Sequence, residues 1–210
     1  MRGKPECISL KIGIPSNFSY EIQNMKTCLI VIDVQESFRQ RPFFTEQDLP
    51  AYLQAQNALI AGAQKAGMPI VRVFHVDGPT DAANPFAVES GHVRPLEGLA
   101  HFEPALTVRK RRHSALVGTG LDVWLTQQGV SRIIVSGIRT EQCCETTARH
   151  ASDLGWAVDY VSDATLTWEM KQPDGTPLSA QDIKARTATV LAGRFATLAT
   201  VDEALARASA

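Results

Sequence analysis

Apolar residues along this chain form short continuous runs, and between the runs lie amphipathic, alanine-rich stretches. The first run, 28–32, ends at Asp33 and is typical of a strand buried on both faces of a parallel sheet. The pattern predicts strands at 28–32, 69–74, 105–109, 132–136, 157–162 and 196–200, and helices at 48–67, 120–128, 141–154, 179–192 and 201–207. Because strand and helix alternate, we predict an α/β fold, a three-layer Rossmann-like sandwich with a six-stranded, mainly parallel sheet and helices on both faces.

Residues 1–24 differ from the rest of the chain, because they carry only a weak apolar pattern and precede the first strong strand. We interpret them as an N-terminal extension or arm. Residues 25–210 are interpreted as one domain, since a chain of 210 residues can bury a single core. The segments 75–103 and 164–180 contain prolines and glycines and are predicted as loops, which carry the specificity of such folds.

The composition argues against several classes of protein. Basic and acidic residues number 21 and 22, so no net charge draws the chain to nucleic acid or to an anionic membrane. No apolar run approaches the roughly 18 residues of a membrane span, and the first 24 residues lack the apolar core of a signal peptide. The four cysteines show neither zinc-site spacing nor the density of a disulfide scaffold, so we expect a reducing, cytoplasmic compartment.

Reactive side chains follow the first four predicted strands. They are Asp33, His75, Lys110 and Cys143. Because ligands bind at the carboxyl ends of parallel strands, these residues are expected to meet at one edge of the sheet. Asp33 can serve there as a general base or, alternatively, cap a turn, and Lys110 can pair with Asp33 or remain a solvated basic residue.

Cys143 has two interpretations. If Thr140 is the N-cap of the following helix, Cys143 lies in the first turn, where the helix dipole and free N–H groups stabilise a thiolate. The same N–H groups can hold a developing oxyanion. Alternatively, Cys143 is a small buried apolar residue, which is a common fate of free cysteine.

Three sequence blocks together resemble a known family. The blocks are 28–35 followed by Phe38, then 110–116, which is similar to K-x-x-x-S-A-F, and 137–148, which is similar to G-x-x-T-x-x-C-V-x-x-T-A. In this order and strand context they resemble the isochorismatase-like hydrolases, also called cysteine hydrolases, whose members include nicotinamidases and N-carbamoylsarcosine amidases.

The resemblance implies a catalytic triad. By position, Asp33 is the base, Lys110 the supporting cation and Cys143 the nucleophile, which forms an acyl-thioester. The family pattern also implies a cis peptide bond between Ile138 and Arg139, and an oxyanion hole formed by the backbone N–H groups of Arg139 and Cys143.

The chain departs from the family pattern at three positions. Leu116 stands in place of the usual Phe, Cys144 in place of Val, and Arg139 in place of a small residue, which is expected to reshape the pocket. Nicotinamidases carry a D-x-H metal motif, whereas this sequence has no histidine before His75 and offers only His75-x-Asp77. Two candidate ligands do not close a metal site, so we expect no metal and no other cofactor.

The resulting hypothesis is a hydrolase that cleaves a small amide, ureido or carbamoyl-type C–N bond. Arg139 and four further residues are the candidate substrate contacts: Gln35, Phe38, His75 and Trp168. The partner is a small molecule, and the resemblance implies a homo-oligomer. Two alternatives stay open: an isochorismatase-type vinyl-ether hydrolase, and a non-catalytic oligomeric protein that senses thiols or binds ligands.

Overall fold

The computed structural model describes residues 26–209, so the predicted arm 1–24 lies outside the described residues. The strands are β1 Lys26–Ile32, β2 Ile70–His75, β3 Leu106–Lys110, β4 Val130–Ile138, β5 Ala157–Leu166, β6 Met170–Lys171, β7 Pro177–Leu178 and β8 Thr197–Ala199. The helices are α1 Leu49–Lys65, α2 Leu121–Gln127, α3 Glu145–Asp153, α4 Ala180–Leu191 and α5 Val201–Ala208. Between residues 26 and 209, no helix combines the length and apolar character that a membrane crossing requires.

The main sheet has six strands in the order β3-β2-β1-β4-β5-β8, and all of its pairings are parallel. The predicted α/β fold with a six-stranded sheet is therefore confirmed. The strands β6 and β7 form a separate antiparallel pair within the predicted loop 164–180. Since this loop was predicted without strands, the pair is an addition to the predicted pattern.

The sheet is covered on both faces, which explains the continuous apolar run in β1. Leu29 and Val31 belong to the core shared with α1 and α5, whereas Ile30 and Ile32 belong to the core shared with α2 and α3. All four side chains are 0–1% exposed. Because burying a side chain of this size contributes about 1.5–3 kcal/mol, a strand with two buried faces must be apolar at every position.

The strand order reverses direction between β1 and β4, and this switch point is where ligands bind in such sheets. At the carboxyl ends, the two strands approach unusually closely. Gly137 of β4 has φ +127°, and a Cβ atom there would lie 2.0 Å from the carbonyl oxygen of Ile32. Only glycine fits at this position, both for its backbone conformation and for the space available.

Candidate active site

The carboxyl ends of four strands bring the predicted triad together. Asp33 follows β1, His75 ends β2, Lys110 ends β3, and Cys143 lies just beyond β4. The ammonium of Lys110 lies 2.7 Å from Asp33 Oδ2, and it donates to Cys143 Sγ at 3.2 Å. Although β2 separates β3 from β1, the long lysine side chain carries its charge to the switch point.

Lys110 has a third partner, the imidazole of His75. Its Nζ lies 3.1 Å from His75 Nδ1. An ammonium group only donates, so Nδ1 must accept, and the ring is neutral with its proton on Nε2. Burial and the charge of Lys110 both lower the pKa of His75, which agrees with a neutral ring. The three donors of the ammonium thus match a carboxylate, a sulfur and an imidazole.

The charge of Lys110 is held in a fully buried position. Its side chain and that of Asp33 are both 0% exposed. Burial alone would lower the pKa of Lys110, but the charge of Asp33 and the contacts with Cys143 outweigh burial and raise it. The group therefore remains an ammonium at neutral pH, and it balances the buried carboxylate.

Asp33 has an uncommon backbone conformation. Its φ is +53°, a left-handed value that Asp tolerates better than most residues other than glycine. The Asp33 N–H still donates to the Val73 carbonyl at 2.9 Å, so the backbone leaves the β1 ladder only after this bond. The sharp change of direction places the carboxylate at the buried end of the strand.

Cys143 lies in a π-helical turn, Thr140–Cys144, which continues without a break into α3 at Glu145. The expected cap is wrong. Arg139 is the N-cap residue and makes no side-chain cap bond, while the Thr140 hydroxyl donates to Thr165 Oγ1 at 2.9 Å. Burial, followed by the negative charge of Asp33, raises the pKa of Cys143 to about 12, although Lys110 lowers it. The resting group is therefore a thiol.

The two adjacent cysteines face different surroundings. Cys143 lines a cavity of about 310 Å³ at the switch point. Cys144 is 0% exposed and packs in the apolar core shared with α2 and α3. Within residues 26–209, only the first of the pair is open to a ligand in this cavity.

Backbone hydrogen bonds fix the turn that carries Cys143. The Ile138–Arg139 peptide bond is cis. The Arg139 carbonyl accepts from the N–H groups of Gln142 and Cys144, both at 3.2 Å. The Tyr160 hydroxyl donates to the Thr140 carbonyl at 2.8 Å. These bonds hold the backbone of Arg139 beside that of the cysteine turn.

Two of the four pocket residues predicted alongside Arg139 line the cavity, and two stand behind its wall. Phe38 and His75 line it together with Arg139. Gln35 instead clamps the end of β2, since its amide accepts from the His75 N–H at 2.7 Å and donates to the His75 carbonyl at 3.0 Å. Trp168 packs against Phe38, with ring centroids 5.8 Å apart, and its indole N–H donates to the Thr45 carbonyl.

Several residues that line the cavity were not predicted from the sequence. They come from the loops that follow β1, β2 and β3: Arg41, Phe43, Asp77, Phe86 and His113. The one local signal is the density of aromatic and arginine residues between 38 and 44. Such a segment fits a stacked wall as well as a core, so the sequence alone does not assign it to the site.

The site also contains metal-ligand atoms, but an ammonium lies among them. One donor atom from each of Asp33, His75 and Cys143 lies within 4.8 Å of the others. Lys110 Nζ contacts all three, at 2.7, 3.1 and 3.2 Å. A cation at this point would have to displace a buried ammonium, so the donor set suits Lys110 better than a metal ion.

Several known hydrolases are similar to this chain in sequence or in fold. A streptothricin hydrolase from Streptomyces noursei is 30% identical over 83% of this chain and 59% of its own length. Nicotinamidase 3 of Arabidopsis thaliana is 40% identical over 35% of this chain and 37% of its own. The crystal structure of a cysteine hydrolase from Pseudomonas syringae pv. phaseolicola is 25% identical, with a TM-score of 0.79 over 89% of this chain and 94% of that one.

The family model for the isochorismatase domain matches residues 27–194. This range contains Asp33, Lys110 and Cys143 and, apart from Lys26 at the start of β1, five of the six strands of the main sheet. With the fold and the residues at its switch point in agreement, the chain belongs to the isochorismatase family of hydrolases.

Proposed function

We propose that this chain is a cysteine amidohydrolase that cleaves a small amide, ureido or carbamoyl C–N bond through an acyl-thioester on Cys143. The observation that carries the proposal is the Lys110 ammonium, which contacts Asp33 at 2.7 Å and Cys143 at 3.2 Å. This contact joins a base, a cation and a nucleophile beside one cavity. The names of two relatives, a streptothricin hydrolase and a nicotinamidase, support hydrolysis of this general kind.

Acylation begins from the protonated thiol. Because the pKa of Cys143 is raised to about 12, the proton must leave as the sulfur attacks, and the Asp33 carboxylate accepts it. The sulfur bonds to the carbonyl carbon, and the backbone N–H groups of Arg139 and Cys143 stabilise the oxyanion. When the C–N bond breaks, protonated Asp33 returns the proton to the leaving nitrogen, and the acyl group remains on the sulfur.

Deacylation uses the same base. Asp33 takes a proton from water, the resulting hydroxide equivalent attacks the thioester carbon, and the C–S bond breaks. The acid product leaves, and the proton returns to the Cys143 sulfur, so the enzyme is regenerated. Lys110 stays an ammonium throughout and balances negative charge. His75 borders the cavity, and we propose that its Nε2–H donates to the substrate.

The proposal includes no metal or other cofactor, because the Lys110 ammonium stands where a cation would bind. We further propose a small-molecule substrate, a homo-oligomeric assembly and a cytoplasmic location. Cys28, Cys143 and Cys144 are free thiols, which is compatible with a reducing compartment.

The experiment is a screen for ammonia or amine release across small amides, ureido acids and carbamoyl compounds. The wild type is compared with Cys143→Ala, and Cys144→Val serves as the matched control. After acid quench, intact mass spectrometry is expected to show the acyl adduct on the wild type and on Cys144→Val, and not on Cys143→Ala. Turnover of a vinyl ether by Cys143→Ala would favour the isochorismatase-type alternative. Alkylation of Cys143 without turnover of any compound would favour the thiol-sensing alternative.

A further inference from the structure

One wall of the active-site cavity carries two arginines whose charges are unequally compensated. The guanidinium of Arg139 lies 3.1 Å from Glu141 and donates to the Thr167 hydroxyl and to the Trp168 carbonyl. Arg41 lines the same cavity but makes no ion pair within residues 26–209. The wall therefore has one paired and one unpaired cation.

The two acidic residues near Arg41 in sequence form ion pairs with a different arginine. Glu36 and Glu46 both pair with Arg39, the former at 3.4 Å. Asp77 is the one carboxylate among the described residues that line the cavity, and it lies 3.9 Å from His75 Nε2. The charge of Arg41 is thus left without a partner in the described part of the chain.

The ring of Phe43 holds both guanidinium groups at this wall. The Cζ atom of Arg139 is 4.9 Å from the ring centroid, and that of Arg41 is 5.9 Å from it. Distances of this size are typical of cation–π contacts, which orient a guanidinium while leaving its N–H groups free to donate. Both cations contact one ring, but only Arg139 has a carboxylate partner among the described residues, so the positive charge of Arg41 is the one left uncompensated at this wall.

We propose that Arg41, with Arg139 and Phe43 beside it, is an anion subsite that selects substrates bearing a carboxylate in addition to the scissile C–N bond. The proposal rests on the proposed function and specifies its substrate class as acid amides or carbamoyl amino acids. A cavity of about 310 Å³ is at the small end of ligand sites. A small molecule held at Cys143 would therefore also reach this wall.

The chain offers a matched control in a neighbouring cavity. Arg111 is exposed and, within residues 26–209, unpaired, and it lines a cavity of about 570 Å³ that contains none of Asp33, Lys110 and Cys143. Its charge is like that of Arg41, but it does not border the nucleophile. A general effect of surface charge would therefore appear equally in variants of either arginine.

The test uses Cys143 as a reporter thiol. Iodoacetate and iodoacetamide alkylate the same sulfur, with formation of a C–S bond and loss of iodide, but only the first probe is an anion. The rate of each is measured by peptide mass mapping for the wild type, Arg41→Gln, Arg41→Lys and Arg111→Gln. A Cys143→Ala sample gives the background, and thermal unfolding checks that every variant is folded.

We expect the iodoacetate-to-iodoacetamide rate ratio to fall about fivefold in Arg41→Gln, as for the loss of about 1 kcal/mol of attraction. Arg41→Lys should keep most of the ratio, Arg111→Gln should keep all of it, and high salt should reduce the difference. An unchanged ratio in Arg41→Gln, or an equal fall in Arg111→Gln, overturns the subsite. The readout is alkylation and not turnover, so the two proposals can fail separately. A protein inactive on every amide would refute the proposed function, and the alkylation ratio would still decide whether Arg41 binds anions.

Discussion

Replacing Lys110 with methionine should destabilise the protein and remove its activity together. Methionine keeps the length of the side chain but leaves the Asp33 carboxylate, which is 0% exposed, without its paired cation. Removal of one partner from a buried ion pair costs about 3–5 kcal/mol, a large part of the 5–15 kcal/mol that typically holds a domain together. Turnover should fall by at least about 100-fold, since the proposed base and the proposed nucleophile lose their common contact.

Urea unfolding, followed by tryptophan fluorescence, measures the free energy of unfolding of this variant. Arg112→Ala is the matched control, because Arg112 is an exposed neighbour outside the triad and its loss should change stability by less than about 0.5 kcal/mol. In the double variant Lys110→Met/Asp33→Asn neither position of the buried pair carries a charge, so most of the stability should return while activity stays absent. A Lys110→Met protein as stable as the wild type and still active would refute the reasoning.

Three further predictions concern the two adjacent cysteines, the pH dependence of Cys143 and the independence of turnover from divalent metal ions. Cys143→Ala should abolish turnover and the alkylation of this position by iodoacetamide. Cys144→Val should keep turnover and the alkylation of Cys143, and should change the free energy of unfolding by less than about 1.5 kcal/mol. Modification of Cys144 in active enzyme would contradict this prediction. Since the pKa of Cys143 is raised to about 12, its alkylation rate should rise about tenfold per pH unit from about pH 7 to 10, and a plateau near the usual thiol pKa of about 8.5 would count against a buried thiol. Prolonged EDTA treatment should leave turnover unchanged, and activity that is lost and then restored by zinc, manganese or iron would show that a metal takes part.

The strand pattern predicted the positions of Asp33, His75, Lys110 and Cys143 because a parallel sheet gathers the ends of its strands at one edge. Continuous apolar runs identify strands buried on both faces, and β1 shows this pattern clearly. The residue that follows such a run therefore lies at the site, even when its partners are distant in sequence.

The walls of the cavity could not be predicted in the same way. Arg41 and Phe43 lie in loop segments, where no periodicity fixes the direction of a side chain. Gln35 follows β1 as closely as Asp33 does, yet its amide is used by the backbone of His75. The protonation of Cys143 also depends on burial that a local helix pattern does not report.

The close approach at Gly137 lies between the strands that carry the proposed base and the proposed nucleophile. Asp33 follows β1 and Cys143 follows β4, so their separation depends on how near these strands lie at the carboxyl edge. A methyl group at Gly137 would meet the carbonyl of Ile32, the residue immediately before Asp33, and would act as a wedge between the strands. This glycine thus sets the smallest possible spacing between the two strands. Its replacement would alter the distance between the proposed base and the proposed nucleophile, while both side chains stayed chemically unchanged.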